Sequence, residues 1–346
     1  MKKKLVLALM MVLVASIAFA GFNFSGTARV KYTLDLINGG ITPGGYTTVS
    51  GDDDGGYSTT GDGAGISPAY FTMNFSNDFY KIAFRETLSD RYNEMDTRAQ
   101  ISLYVDKQLK DIGIELPVTL TATVGNADIS GFYAYSDPYG SVDDYYDAFD
   151  SNTRNNLPVG FDVGYEGFTA RTMFDIVGDE MDPVLSVKGP VVDGVNFAAS
   201  YLAAATYMGG TSEVNLSATA DVAKLAGLDF DFGASIFSII GFGDTAADPL
   251  LLIAVTGGKD DLSAYAQYSL NAPATGIDDS GLYAGVGYTV SKVVSVGADT
   301  EYDFTDAVLG YDAYITAKLG GVAYRVLLYG DTEGSAKLEA RANIAF

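Results

Sequence analysis

Alternation of apolar and polar side chains with period two, sustained over whole strand lengths, constrains this chain more than any other feature. In "FNFSGTARVKYTLDL" the even positions are Phe22, Phe24, Gly26, Ala28, Val30, Tyr32, Leu34 and Leu36; the odd ones are Asn23, Ser25, Thr27, Arg29, Lys31, Thr33 and Asp35. Successive side chains of a strand point to opposite sides, so this segment has one greasy face and one wet face. The pattern returns at Ala69 to Phe75, Tyr80 to Phe84, Ile101 to Val105, Val118 to Val124, Phe161 to Tyr165, Phe168 to Ile176 and Val195 to Ala203. It continues at Val214 to Val222, Leu228 to Ile236, Leu262 to Leu270, Leu282 to Val290, Val294 to Ala298, Tyr311 to Ala317 and Val322 to Tyr329, and closes the chain at Ala336 to Phe346. With less regular stretches at 184–187 and 250–255, about 18 strands are expected. The segments 107–116 and 239–255 do not declare themselves, which leaves a count of 16 to 18.

The spacers alternate as well. "SND" at 76–78, "EG" at 166–167 and "SK" at 291–292 are tight turns, whereas 37–67 and 126–157 are long and rich in Gly, Asp, Ser and Tyr. Short turns at one rim and longer loops at the other describe an up-and-down barrel. Strands of about 9 to 11 residues match a tilted membrane crossing, while strands of soluble proteins peak nearer 5 or 6. The expectation is therefore an all-β transmembrane barrel of antiparallel strands, with Tyr32, Tyr70, Phe71, Phe79, Tyr80, Phe168, Tyr268, Tyr288 and Tyr329 as candidates for its interfacial girdles. A secreted soluble β-protein is the rival architecture.

The N-terminus supplies the compartment. Lys2, Lys3 and Lys4 precede an apolar run from Leu5 to Ile17, and Ala18-Phe19-Ala20 precede Gly21. A basic start, a short apolar middle and a small-x-small exit predict a cleaved signal peptide over 1–20 and a mature barrel over 21–346. Without the three leader lysines, 18 bases face 44 acids, a net charge of −26. That balance argues against a nucleic-acid partner, whose phosphates need Lys and Arg. The chain has neither Cys nor His. Disulfides, thiolate nucleophiles and Ser-His pairs are thereby excluded, and no enzyme is expected.

A leader, alternating strands throughout the mature chain and a terminal strand "AKLEARANIAF" together resemble a Gram-negative-type outer-membrane β-barrel of the general porin kind. The resemblance implies that Phe346 belongs to the signal read by the barrel assembly machinery, that the barrel sits in outer-membrane lipid, and that it is a homotrimer. It also implies a third extracellular loop folded into the lumen against a basic wall. The third long connection carries Asp137, Asp143, Asp144, Asp147 and Asp150, but it lacks the family's Pro-Glu-Phe-Gly-Gly signature.

Barrel closure places the last strands beside the first. Arg29, Lys31, Lys81, Arg85, Arg325, Lys337 and Arg341 are therefore expected on one inward basic wall, since a base facing mid-bilayer lipid costs about 2–4 kcal/mol. Acids crowd the long connections, as in "GDDDGG" at 51–56, and a mouth ringed by carboxylates concentrates cations. Clustered Asp oxygens suit Ca²⁺ or Mg²⁺, yet this spacing fits neither the EF-hand nor the calcium-binding nonapeptide, so no cofactor is expected. The functional expectation is a channel for passive diffusion of small hydrophilic solutes and ions, selected by lumen width and charge. The alternative is a plugged structural or adhesive surface barrel.

Overall fold

The computed structural model describes residues 21–23, 27–49, 69–89, 94–125, 134–135, 159–177, 180–203, 212–244, 248–270 and 280–345. Among them are twenty strands: β1 (Gly21–Asn23), β2 (Thr27–Asp35), β3 (Ile41–Val49), β4 (Ala69–Ser76), β5 (Tyr80–Ser89), β6 (Glu94–Tyr104), β7 (Thr119–Gly125), β8 (Val159–Tyr165), β9 (Phe168–Val177) and β10 (Glu180–Val192). The second half holds β11 (Val195–Ala203), β12 (Ser212–Asp221), β13 (Asp231–Phe242), β14 (Leu250–Lys259), β15 (Leu262–Leu270), β16 (Gly281–Ser291), β17 (Val294–Asp303), β18 (Leu309–Leu319), β19 (Val322–Asp331) and β20 (Ala336–Ala345). Two short helices, α1 (Val105–Asp111) and α2 (Val222–Ala226), follow β6 and β12.

All strands belong to one sheet. Consecutive strands from β4 to β20 pair antiparallel, and β20 returns to β2 with Lys31 opposite Arg341 and Thr33 opposite Glu339. The strand β1 is antiparallel to β4. Folded back along β2, β3 meets β4 through only two parallel pairs, Thr48 with Tyr70 and Val49 with Phe71. With β1 and β2 counted as one stave and β3 as an added arm, the ring has eighteen staves, closed by β1 against β4 and by β2 against β20. Closure satisfies backbone amides within the ring, which a hydrocarbon core demands because it offers no water to bind them.

The partition of side chains is the reverse of a soluble protein's. Val30, Leu185 and Ile315 face outward with 54%, 51% and 47% of their surface exposed, and Val326, Leu216, Ile236 and Ile253 are exposed beside them round the ring. Ser200, Gln267 and Glu339 alternate with such residues on the inward face and are 2%, 1% and 5% exposed. An apolar band of that extent, wrapped round a whole sheet, has no reason to exist in water and is the lipid-facing girdle of a barrel.

Turn chemistry sets the rims. At β8–β9, Glu166 (φ 48°) and Gly167 (φ 86°) both adopt left-handed backbone, as do Gly320 (φ 57°) and Gly321 (φ 82°) at β18–β19. Two successive positive φ values make the hairpin turn whose twist matches its strands. In the turn after β4, Asn77 Oδ1 accepts from Phe79 N at 2.8 Å and Tyr80 N at 3.0 Å. The same rim carries α1 and α2. Ion pairs join neighbouring turns there: Lys224 Nζ with Asp193 at 2.5 Å and Lys259 Nζ with Asp229 at 2.9 Å.

Some expectations need correction. The stretch 37–67 is not one open connection, because β3 lies within it. The ambiguous 107–116 region begins in α1, and 239–255 belongs to the hairpin of β13 and β14. The strand expected from Leu228 starts at Asp231, because α2 and its turn occupy the approach. Tyr329 is not a girdle residue: its partners Lys337 and Asp312 place it on the inward face. The proposed leader, residues 1–20, and Phe346 lie outside the described residues.

Candidate functional site in the barrel lumen

The polar faces of β2, β20, β19, β18, β17, β16 and β15 form one side of the lumen. Register alone aligns Lys31 with Arg341 and Arg341 with Arg325, three bases in a row across three strands. Lys337 stands nearer the loop rim, opposite Asp35 and Tyr329, with Nζ 6.0 Å from the Tyr329 ring centroid. The backbone of Arg29 lies opposite Asn343. Lys81 and Arg85 are on β5, further round the ring beyond β3 and β4, and Lys81 is exposed near the turn rim.

The row of bases is not left uncompensated. Glu339 lies one step along β20, with Oε2 3.4 Å from Lys31 Nζ and Oε1 3.7 Å from Arg341 Nη1. A carboxylate that well covered needs such partners, because burying a lone charge is costly. Arg325 takes a different arrangement: its guanidinium lies 3.9 Å over the Tyr314 ring. Cation–π contact of this kind holds the group in place while leaving its charge available.

Glycines make room for the rings. A Cβ on Gly297 would lie 2.4 Å from the Tyr314 ring carbon and hydroxyl, so only glycine lets that ring lie across β17. Likewise a Cβ on Gly285 would lie 2.0 Å from Asp299 Oδ1 and 2.2 Å from Tyr265 Cε1. Through that gap Tyr265 donates its hydroxyl to Asp299 Oδ1 at 2.9 Å. Asp299 is the direct register partner of Asp312, so the two carboxyl groups lie side by side on the inward face. Acids and bases thus meet on one wall, the acids toward β17 and the bases toward β20.

The other side of the lumen, on β11 to β14, is different in kind. Its inward Leu202, Phe237, Ile239, Leu250, Leu252 and Ala254 are buried, interspersed with Ser200, Asn215, Ser217 and Ser235. Part of the third long connection rests there. Ala134 N donates to Ser217 Oγ at 2.8 Å, and the buried Tyr135 ring lies 6.0 Å from that of Phe237. Next to this region Arg171 grips Asp162 with two bonds of 2.7 Å across β8 and β9. Asp137, Asp143, Asp144, Asp147 and Asp150 lie outside the described residues.

Sequence reasoning set out Lys31, Arg325, Lys337 and Arg341 but missed Asp299, Asp312, Tyr265, Tyr314 and Glu339. A usable signal existed. In "GYDAYITAKL" the polar parity carries Asp312 and Tyr314 together, and in "VSVGADTEYD" it carries Gly297 and Asp299.

No family model matches this chain, and no curated protein matches it. Solved structures do. A variant of the Rh. blastica porin superposes with a TM-score of 0.52 at 12% identity, covering 94% of this chain and all of that one. Pseudomonas aeruginosa OpdQ superposes with a TM-score of 0.53 at 9% identity, covering 95% and 98%. At such identities the likeness is one of architecture: this chain has the fold of a porin-like antiparallel β-barrel.

Proposed function

We propose that the chain is an outer-membrane channel through which small hydrophilic solutes and ions diffuse passively. One observation carries the reading: a closed ring with apolar residues outside sets Lys31, Arg325, Arg341, Asp299 and Asp312 on its inner surface. A barrel of this strand number is wide enough for an aqueous lumen. The contacts of Ala134 and Tyr135 support a constriction between the third connection and the charged wall, with the acids from Asp137 to Asp150 contributing to its field. Lys31, Arg325, Lys337 and Arg341, with Arg29, would line it. In this reading 1–20 is removed on export, the barrel assembly machinery reads the terminal strand ending in Phe346, and the loop rim faces outward. A homotrimer is the assembly that fits the porin resemblance.

Planar-bilayer recording of the purified, refolded protein tests the channel. Stepwise, steady current in KCl is the expected result. A plugged adhesive barrel would insert without steady current, and a secreted soluble protein would remain monodisperse in buffer without detergent.

A further inference from the structure

Opposite charges on the wall between β15 and β20 do not neutralise one another completely. Lys31 and Arg341 share Glu339, but Arg325 keeps its Nε buried without a hydrogen-bond partner and makes no ion pair among the described residues. Asp312 Oδ1 is likewise buried without a hydrogen-bond partner. Between them stands Tyr314, two residues from Asp312 on the same face, with Arg325 on its ring. Tyr265 fixes one oxygen of Asp299, and two glycines keep the surface open for both rings.

We propose that this wall is a binding subsite for small amphoteric solutes, amino acids and short peptides, inside the channel proposed above, on which the inference rests. The solute's ammonium group is received by Asp299 and Asp312, whose ionised carboxylates offer acceptors and no donor, and its carboxylate by Arg325, a planar donor fork suited to that group. The faces and edges of Tyr314 and Tyr265 give the intervening atoms an amphipathic bed. Charge explains the choice of class. A simple cation attracted by the aspartates meets Arg325, Arg341 and Lys31 close by, and a simple anion attracted by Arg325 meets Asp299, Asp312 and Glu339. Only a molecule carrying both signs satisfies both ends. Such a site should be weak, because a channel must release what it binds.

The test uses the full mature barrel in planar bilayers and proteoliposomes with three solutes of similar size: glycylglycine, N-acetylglycinate and glycinamide. Glycylglycine should enter several-fold faster than either singly charged solute at low concentration, and its flux should saturate first. Arg325→Gln and the pair Asp299→Asn with Asp312→Asn should each erase that preference. Tyr265→Phe, which keeps the ring, should weaken it, so the proposal does not hang on one variant that folds poorly. Folding of each variant is checked by the heat-dependent gel shift of the barrel. Equal entry of the three solutes through a barrel that conducts KCl overturns the subsite alone. Undiminished preference in folded Arg325→Gln and in the folded double variant also overturns it. A barrel passing no KCl current overturns the channel reading, and the subsite with it.

Discussion

Val255 and Thr256 are neighbours in the middle of β14, and their fates under the same substitution should be opposite. Val255 faces outward between Ala234 and Ala266, and Thr256 faces the lumen between Gly233 and Tyr265. The strand has ten residues. At about 3.3 Å per residue and a tilt near 45° it rises about 23 Å, close to the ~25 Å apolar band of such barrels. Val255 is the sixth residue and therefore within about 2 Å of mid-depth, where a lysine cannot reach either interface without strain. Val255→Lys should cost about 2–4 kcal/mol, or roughly 30- to 900-fold in the folding equilibrium. Thr256→Lys places its ammonium on the water-facing side of the sheet and should cost less than about 1 kcal/mol. Urea unfolding in lipid vesicles, read by gel mobility of the folded band, measures both. Equal costs, or a larger cost at Thr256, would refute the assignment of lipid and water to the two faces.

Other consequences follow from particular contacts. Phe237→Ala removes the ring beneath Tyr135, which should destabilise the barrel by about 3–5 kcal/mol and make the open current noisier as the third connection loosens; a quiet, unchanged current would contradict the anchoring. Arg171→Ala leaves Asp162 without its two-bonded partner and should lower stability by about 1.5–3 kcal/mol, seen as an earlier urea midpoint with unchanged slope. Gly297→Ala forces Tyr314 off β17 and should cost about 1–3 kcal/mol, part of which Tyr314→Ala restores in the double variant. At the turn rim, the hydrogen bond to Asp193 raises the pKa of Lys224 above the usual lysine value. A raised pKa means that the pair's contribution is fully present below the ordinary lysine range and is lost as pH climbs through the raised value. Asp193→Asn should move the Lys224 midpoint down, as followed by NMR of its ε-carbon; an unmoved midpoint would show that Asp193 is not the cause.

Much of the fold was legible because lipid and water enforce strict alternation. Val195–Ala203 and Leu262–Leu270 are strands at the limits their patterns suggest, and each needs no information beyond its own parity. The arm β3 was not legible: "ITPGGYTTV" carries a proline and two glycines, residues depleted from strands, and its pairing with β2 overrides that local preference. At 105–111 the helix hides behind a strand, because Ile101 to Tyr104 alternate straight into Val105. Closure of the ring made Lys31, Arg341 and Arg325 predictable as a group. Glu339, visible on the same parity, is their counter-ion, and it shows why counting bases alone misjudges the wall. The acid and tyrosine half of the site needed register between β15, β16, β17 and β18, which no single segment encodes. Loop acids also proved partly structural: Asp331 Oδ1 accepts from Glu333 N at 2.9 Å and Ser335 N at 3.1 Å, and Asp303 Oδ1 accepts from Thr305 N at 2.6 Å. Those carboxylates hold their turns as well as charging the rim.

The most direct measurement walks single cysteines along β18 from Tyr311 to Lys318, in a chain whose own sequence contains no cysteine. In sealed proteoliposomes, a small water-soluble thiol reagent should label positions 312, 314, 316 and 318 and spare 311, 313, 315 and 317. Uniform labelling, or labelling of the odd positions instead, would mean that water does not fill the inside of this barrel while lipid covers its outside.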